Sequence, residues 1–566
     1  MGLTNKEIVK ILKTASSLME LHGANAFKVR AYSSAVMHLE RLEQAVEGKS
    51  KEELLALEFS KSIAEKIAQI DQTGSFTELE ELLEKTPEGV VEMLEIKGIG
   101  AKKIATLWKE LGVETISDLL KACQEGKVAQ LKGFAEKTQK LIIDQITFRE
   151  GNQGKLHFSD AEQLAKKLAD YLSGQVEGEV SMTGQLRRNL EIIDTVELIV
   201  GTDDFEKVRN ALNEQPELEY YEKKSGPFVW RGEIKDVSMP LEVLLSSPQD
   251  FAKNLFIHSS SPEHLAAPVE AYGTLRQAAA QLHPSSEQEL YEKLSMDFVP
   301  PEMREGTFEL KWAREKKIPR LVEMEDLKGI LHNHSTYSDG QHTLEEMAAY
   351  CKELGYEYLG ISDHSQSAFY ANGLSPERVE EQHKEIDALN HKLAPFKIFK
   401  GIESDILNDG SLDYEEEVLA KFDFIVASVH SNLKMDEKKA TERLLKAIRN
   451  PYTTILGHPT GRLLLKREGY PIDHKAVIDA CAEHKVSIEI NANPWRLDLD
   501  WRWVRYALDQ NIMISINPDA HEKKGYHHMR YGLLVGRKAG LTKDMTLNAL
   551  SVEEIEIFFS KKGKKV

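Results

Sequence analysis

Down the last third of the chain, short apolar runs of β type alternate with longer stretches in which apolar residues recur at helical spacing. The runs cover 329–334, 358–364, 396–403, 422–430, 453–458 and 512–521. Helical patterns over 376–393, 437–449, 474–484 and 499–510 separate them. Alternation of strand and helix predicts a parallel sheet closed into a barrel. Upstream the pattern changes: residues 1–90 read as helical, turn-and-helix units run to about 150, and 155–315 mixes α and β patterns. The expected architecture is therefore multidomain, α followed by α/β, with segments 1–90, 91–150, 151–318 and 319–566.

Nearly every C-terminal run closes on a histidine or a carboxylate. These are His332 and His334, His364, Glu403, His430, His458, and Asp519 with His521; Asp339 follows the first run. In parallel barrels, catalytic groups gather at the carboxyl ends of strands. Neutral imidazole with carboxylate suits Zn, Mn or Fe, with Mg a further candidate, and mixed ligation without thiolate is typical of catalytic metal sites. His332-x-His334 on a strand would put both rings on one face. A single histidine of this kind would be read as an ordinary core or surface residue. Nine groups in one topological position point to a metal site.

Composition narrows the setting. The chain has 566 residues, 41% of them hydrophobic, enough for three or four domains. No apolar run has the length of a membrane span, and the first residues lack a signal peptide's apolar core. Cys123, Cys351 and Cys481 are widely spaced and suggest a reduced, cytoplasmic chain. The net charge of −19 argues against a general electrostatic DNA binder. Residues 1–150 hold 21 Lys+Arg against 24 Asp+Glu, a balance of −3, which leaves room for local basic motifs.

Such motifs occur there. Leu94-Glu-Ile-Lys97-Gly98-Ile99-Gly100-Ala-Lys102-Lys103 has the form of a helix-hairpin-helix turn, in which glycine aims backbone N–H groups at a phosphate in front of a helix N-terminus. A plain helix-connecting turn is the alternative. Two relatives of the motif accompany it: Leu131-Lys-Gly133-Phe-Ala-Glu-Lys137, and Leu57-Glu-Phe-Ser-Lys61, which lacks both glycines.

Leu331-His-Asn-His-Ser-Thr-Tyr-Ser-Asp-Gly340, Ser362-Asp-His364, Gly401-Ile-Glu403, Ala427-Ser-Val-His430, Gly457-His-Pro459 and Pro518-Asp-Ala-His521 resemble the motifs of the PHP (polymerase and histidinol phosphatase) domain. The resemblance implies a distorted (β/α)7 barrel with up to three divalent metals. His332, His334, Glu403 and Asp519 would hold one. Glu403, His430 and His458 would hold a second, and Asp339, His364 and His521 a third, with Glu403 bridging. Asp363 and Asp405 are candidates to orient ligands, and Arg462 and Arg496 to clamp phosphate or to form rim salt bridges.

The order of helices, hairpins, α/β segment and metal barrel resembles the bacterial family X DNA polymerases that carry a PHP domain. The resemblance implies a nucleotidyltransferase-like α+β palm and thumb over 151–318. There the sequence departs from the family pattern, Gly-Ser-x-Arg-Arg followed by an Asp-x-Asp pair and a third Asp. It reads Gly184-Gln-Leu-Arg187-Arg188, then Thr195 and Glu197 in the Asp-x-Asp positions, with Glu242 in the third and Asp194 one residue out of register. The nucleotide-gripping Thr-Gly-Ser becomes Ile257-His258-Ser259. Octahedral Mg²⁺ tolerates such changes poorly, so polymerase activity is expected to be lost. Lys66 falls where related polymerases carry a Schiff-base lysine for abasic sugars; a lysine on a solvated helix face is the commoner reading.

The resemblance thus implies a DNA-repair enzyme acting on gapped, nicked or recessed DNA, and the expected setting is a cytoplasmic monomer. Its expected activity is metal-dependent 3′→5′ exonuclease, with abasic-site or 3′-phosphate processing. A gap-filling polymerase and a histidinol-phosphatase-like phosphatase are the alternatives.

Overall fold

The computed structural model describes residues 3–42, 44–96 and 98–561. The chain divides into two compact units, 1–153 and 154–566.

The first unit is helical. Asn5–Leu21 and Ala26–Arg41 pair through Ile8, Leu12, Ala15 and Leu18 on one side and Tyr32, Val36 and Leu39 on the other, apolar positions three and four apart. Helix starts are written locally: Thr4 with Glu7, Ser50 with Glu53 and Thr115 with Asp118 form reciprocal caps. Three turn-and-helix units share one backbone device. Gly98 at φ +88° precedes Ala101–Leu111, Gly133 at +90° precedes Glu136–Asn152, and Glu58 at +65° precedes Lys61–Thr73. At Gly98 a Cβ would meet only the end of the Leu141 side chain, at 2.6 Å, so it is the dihedral that requires glycine.

The second unit begins with a five-stranded mixed sheet. Its spatial order is Glu179–Met182, Val196–Gly201, Met239–Ser246, Val229–Ile234 and Leu218–Tyr220. The central pair is parallel, with Glu197 opposite Glu242. Alternation sorts the faces. Val196, Leu198, Val200, Leu241, Val243 and Leu245 pack with residues of the helices Phe158–Gln175 and Phe205–Asn213, while Ile199 and Leu244 meet Phe251 on the opposite face. Helices between 251 and 315 follow. At their centre Arg304 is fully buried against Glu287, and His264 bridges Glu309 and Tyr291.

Seven parallel strands then run in sequence order: Gly329–Ile330, Tyr358–Ile361, Lys397–Asp405, Phe424–Ser428, Ile455–Leu456, Ser487–Asn491 and Ile514–Asn517. The first and last are joined beyond their ends by a bridge between Asn333 and Ala520, which nearly closes the barrel. Ile361, Ile402, Ile425, Ile488 and Ile516 belong to the large outer core shared with the helices. Tyr358, Phe399, Phe424 and Val426 pack with Phe559 of the last helix, which stacks on Phe424 at 5.1 Å. Strand periodicity therefore sets Gly401, Glu403 and Asp405 on the inner face, in line with Phe399.

The sixth strand, Ser487–Asn491, has no counterpart among the runs read from sequence. The helix expected at 499–510 is Trp501–Asp509, capped by Asp500 through Arg502 N–H.

Candidate metal centre

All nine sequence-selected groups converge at the carboxyl ends of the barrel strands. Glu403, 1% exposed, stands at their centre. Its Oε1 lies 3.0 Å from His458 Nε2, 3.1 Å from His430 Nε2 and 3.3 Å from His332 Nε2. Its Oε2 lies 3.0 Å from His364 Nδ1 and 3.6 Å from His334 Nε2. Asp519 Oδ1 is 3.1 Å from His334 Nε2, and Asp339 Oδ1 is 3.3 Å from His521 Nε2 and 3.7 Å from His364 Nε2. Three overlapping groups are close enough to share a cation: His334, Asp339, His364 and His521; His332, His334 and Asp519; and His364, Glu403 and His430. His334 thus stands at the junction of two groups, where the expected partition gave it one metal.

The elements explain the convergence. Glu403 is on the third strand, and His430 follows the fourth by two residues, in line with Ser428. His332 and His334 lie past the end of the first strand, which stops at Ile330, so they are not the strand pair expected. Asn333 between them donates to Gly360 O at 2.8 Å, and His334 N–H donates to Ala520 O at 2.8 Å. Asp519 has φ +51° and His458 φ +22°, conformations a side chain adopts at an energetic cost and only where surrounding contacts hold it.

The buried polar atoms test the fit of a cation. His332 Nε2, His334 Nδ1, His364 Nδ1, His458 Nδ1 and Glu403 Oε2 have no hydrogen-bond partner among the described residues. His364 Nδ1 and Glu403 Oε2 are 3.0 Å apart yet misaligned for a hydrogen bond. Buried groups left so are costly unless something else satisfies them. Imidazole and carboxylate aimed at common points are the donor set divalent cations take.

Electrostatics agree. Burial opposes ionisation of Glu403, but the imidazoles of His430, His332 and His364 outweigh it and hold the carboxyl well below its usual range. Asp519 is likewise held low against burial, by His332, His334 and Arg496. Burial disfavours charge on His430, yet Glu403 and Asp405 push it up to about 10; His521 is pushed up to about 9 against burial by Asp339 and Asp519. His334 is drawn down to about 3 by burial and by His521 and His364. The centre therefore holds ionised carboxylates that call for positive charge between them, supplied by protons or by metal.

Surrounding groups fix the imidazoles. Asp405 accepts from His430 Nδ1 at 2.5 Å. Glu489, fully buried on the sixth strand, accepts from His332 Nδ1 at 2.7 Å and from His458 N–H at 2.8 Å. Sequence reasoning missed Glu489; its signal was the polar alternation Ser487, Glu489, Asn491 within an apolar run. Asn491 donates to Asp519 Oδ2 at 3.0 Å. Asp363 acts on the loop that carries Asp339, accepting from Ser335, Ser338 and Gln382. Arg496 Nε is 3.5 Å from Asp519 Oδ2 and faces the centre. Arg462 takes the other alternative: it pairs with Asp500 at 2.9 Å and donates to the Arg496 and Leu497 carbonyls.

The mixed sheet holds the second set of candidates. Glu197 and Glu242 share one face. Glu197 Oε2 accepts from Gln185 N–H at 3.1 Å and fills the space over Gly184, where a Cβ would sit 1.6 Å away. Burial pushes the Glu197 carboxyl up to about 7. Glu242 is held by Arg231 Nε at 2.5 Å. Thr195 and exposed Asp194 lie in the bend before the strand, which begins at Val196 and carries Glu197. Arg187 and Arg188, the two arginines of the Gly184 stretch, pair with carboxylates of the protein. Arg187 makes a bidentate pair with Glu287, at 2.8 and 2.5 Å, and Arg188 Nε lies 3.8 Å from Glu305. Ile257 and His258 end the helix Phe251–His258, and Ser259 bonds Thr183 at 2.9 Å inside the protein.

In the helical unit, no side chain caps the helices beginning at Ala101 and Glu136. Gly100 is the N-cap of the first; Lys102 is 83% exposed, Lys137 is exposed, and Lys103 lies over the Phe134 ring at 5.3 Å. Lys97 falls outside the described residues. At the third turn Ser60 caps its helix through Ile63 N–H, occupying the end a phosphate would need. Lys66 is not on a solvated face: its ammonium sits 5.7 Å from the Tyr32 ring, 5.9 Å from Phe76 and 3.7 Å from Glu78.

Residues 3–76 match a helix-hairpin-helix domain, residues 90–147 a SAM-like helix-hairpin-helix tandem and residues 331–493 the PHP domain. A probable phosphatase of Thermoanaerobacter sp. is 27% identical over 42% of this chain and 98% of its own, and one from Clostridium acetobutylicum is 33% identical over 28% and 63%. The DNA polymerase/3′-5′ exonuclease PolX of Bacillus subtilis is 34% identical across 98% of this chain and 99% of its own length, palm region included. A likeness that runs from the hairpins through to the barrel makes this chain a member of the bacterial family X DNA polymerases with a C-terminal PHP domain.

Proposed function

We propose that this enzyme is a metal-dependent 3′→5′ exonuclease acting on DNA ends, with a palm that no longer polymerises. The observation that carries the reading is the convergence of nine imidazole and carboxylate groups, Glu403 at their centre, with buried atoms left unpaired. The ligands would be His332, His334, Asp339, His364, Glu403, His430, His458, Asp519 and His521, for up to three Mn, Zn or Fe ions, with Mg the weaker candidate. When bound, such cations lower the pKa of water and offset charge on phosphoryl oxygens. Asp405 and Glu489 fix the ring orientations of His430 and His332, and Arg496 contributes positive charge for a phosphate beside Asp519.

DNA would reach the enzyme through Gly98, Gly100, Lys102, Lys103, Gly133 and Lys137, whose uncapped helix starts offer N–H groups to backbone phosphates. No helix among the described residues is long and apolar enough to cross a membrane; the setting proposed for this DNA-processing enzyme is the cytoplasm.

The loss of polymerase activity rests on three residues. Thr195 offers no carboxylate, Glu197 is turned onto Gln185 N–H, and Glu242 is tied to Arg231. Displacements of about 1 Å cost on the order of 100-fold at such centres. A 5′-labelled recessed or gapped duplex with Mn²⁺, with and without dNTPs, tests both halves at once. Shortening alone supports the reading, and dNTP-dependent extension lost in Glu197→Ala overturns its second half.

The barrel-only phosphatase relatives favour a second reading, phosphomonoester hydrolysis. Turnover of free phosphomonoesters with no cleavage of DNA would establish it. The Lys66 cage keeps abasic-site lyase activity within the proposal; borohydride trapping that persists in Lys66→Ala would remove it.

A further inference from the structure

Two large aromatic side chains stand in solvent beside the metal centre. Phe369 is 89% exposed and Tyr370 69%. They occupy the tip of the loop that follows the second barrel strand and its ligand His364, and the Tyr370 ring lies 6.1 Å from the His364 ring. That contact with a ligand candidate places Tyr370 beside the centre.

The loop behind them is firmly held. Ser367 N–H donates to Asp413 at 2.7 Å, Gln366 to Asp413 O at 2.7 Å, and Leu374 N–H to His364 O at 2.9 Å. Ala368 and Ala371 are buried beneath the tip. A braced backbone that presents two uncovered rings is a poor way to fill a core and a good way to meet a planar ligand. Across the mouth, Trp495 is also exposed, but one face stacks on His157 at 5.6 Å and the Lys466 ammonium lies over its ring. Its surface is already in use.

We propose that Phe369 and Tyr370 form a stacking platform for the nucleobases at the 3′ end, holding the terminal nucleotides while their phosphate enters the centre. They are positioning residues. Aromatic stacking is sequence-tolerant, because every base has a π face, so the platform would grip any 3′ terminus whose bases are unstacked from a duplex. The inference rests on the exonuclease reading and adds to it how the nucleotide end is recognised.

The test compares two single-stranded oligonucleotides with Mn²⁺. One ends in two ordinary nucleotides, and the other carries tetrahydrofuran abasic residues at those positions. Wild-type enzyme is expected to prefer the base-bearing end in KM by at least ~5-fold, the lower bound for stacking one base. In F369A/Y370A that preference should fall to about one, and F369W/Y370F should restore it. A preference that survives in F369A/Y370A, or is absent from the wild type, overturns the platform while leaving the exonuclease intact. If the wild type shortens neither oligonucleotide, the exonuclease reading fails and the platform falls with it.

Discussion

Glu489 shows how much of the centre depends on a residue that no motif advertises. It binds His332 Nδ1 and the backbone of His458 at once, so it sets the direction of one ligand and the strained backbone of another. Removing such an outer partner lowers metal affinity by roughly 10–100-fold. Glu489→Gln should show a loss of that size in metal titration with its fold intact by circular dichroism; unchanged affinity would remove Glu489 from the account. The same scale carries a pH dependence. In the metal-free centre His430 holds its proton to about 10 and His521 to about 9. A cation must displace those protons, so apparent affinity should climb from pH 6 to pH 9 and binding should release protons. Calorimetry in buffers of differing ionisation enthalpy reads the release directly, and a pH-independent affinity would contradict it. The nine groups were legible because each sits at or beyond a β-type run and carries the chemistry itself. The partners of Arg187 and Arg188 were not, because Glu287 and Glu305 lie about a hundred residues away and only the fold brings them near.

At the scale of elements, the helical turns were legible through glycine. Gly98 and Gly133 take φ near +90°, as a tight turn before a helix requires, and Glu58 holds the equivalent place at greater strain. The third turn lacks both glycines, and Ser60 closes its helix end. The barrel strands were harder. Gly329–Ile330 and Ile455–Leu456 are two residues long, so the runs at 329–334 and 453–458 owe their length to irregular chain beyond the ladder. The sixth strand was overlooked because it ends in Asn491 rather than in a ligand. The element-level prediction concerns DNA. Lys102→Glu and Lys137→Glu should each weaken binding to a recessed duplex across sequences and reduce the slope of log affinity against log salt by about 1. Equal slopes in wild type and variants would show that these lysines do not meet phosphate.

The whole molecule joins a polymerase-type palm to a PHP barrel. The sheet of the palm has kept its fold, with Glu197 and Glu242 still side by side, while the carboxylates have turned to protein partners. It remains attached to the barrel: Lys538, buried in the last long helix, donates to Glu305 and to the Arg188 and Glu302 carbonyls, and His157 stacks on Trp495 at the mouth. Under the proposed loss of polymerisation, a palm retained in this way would serve as support for the barrel and for DNA. The most direct test is the fate of a 5′-labelled recessed duplex incubated with Mn²⁺ and all four dNTPs. The account predicts progressive shortening from the 3′ end, no extension, and loss of shortening in Glu403→Ala. Extension of the primer, or shortening that persists in Glu403→Ala, would contradict it.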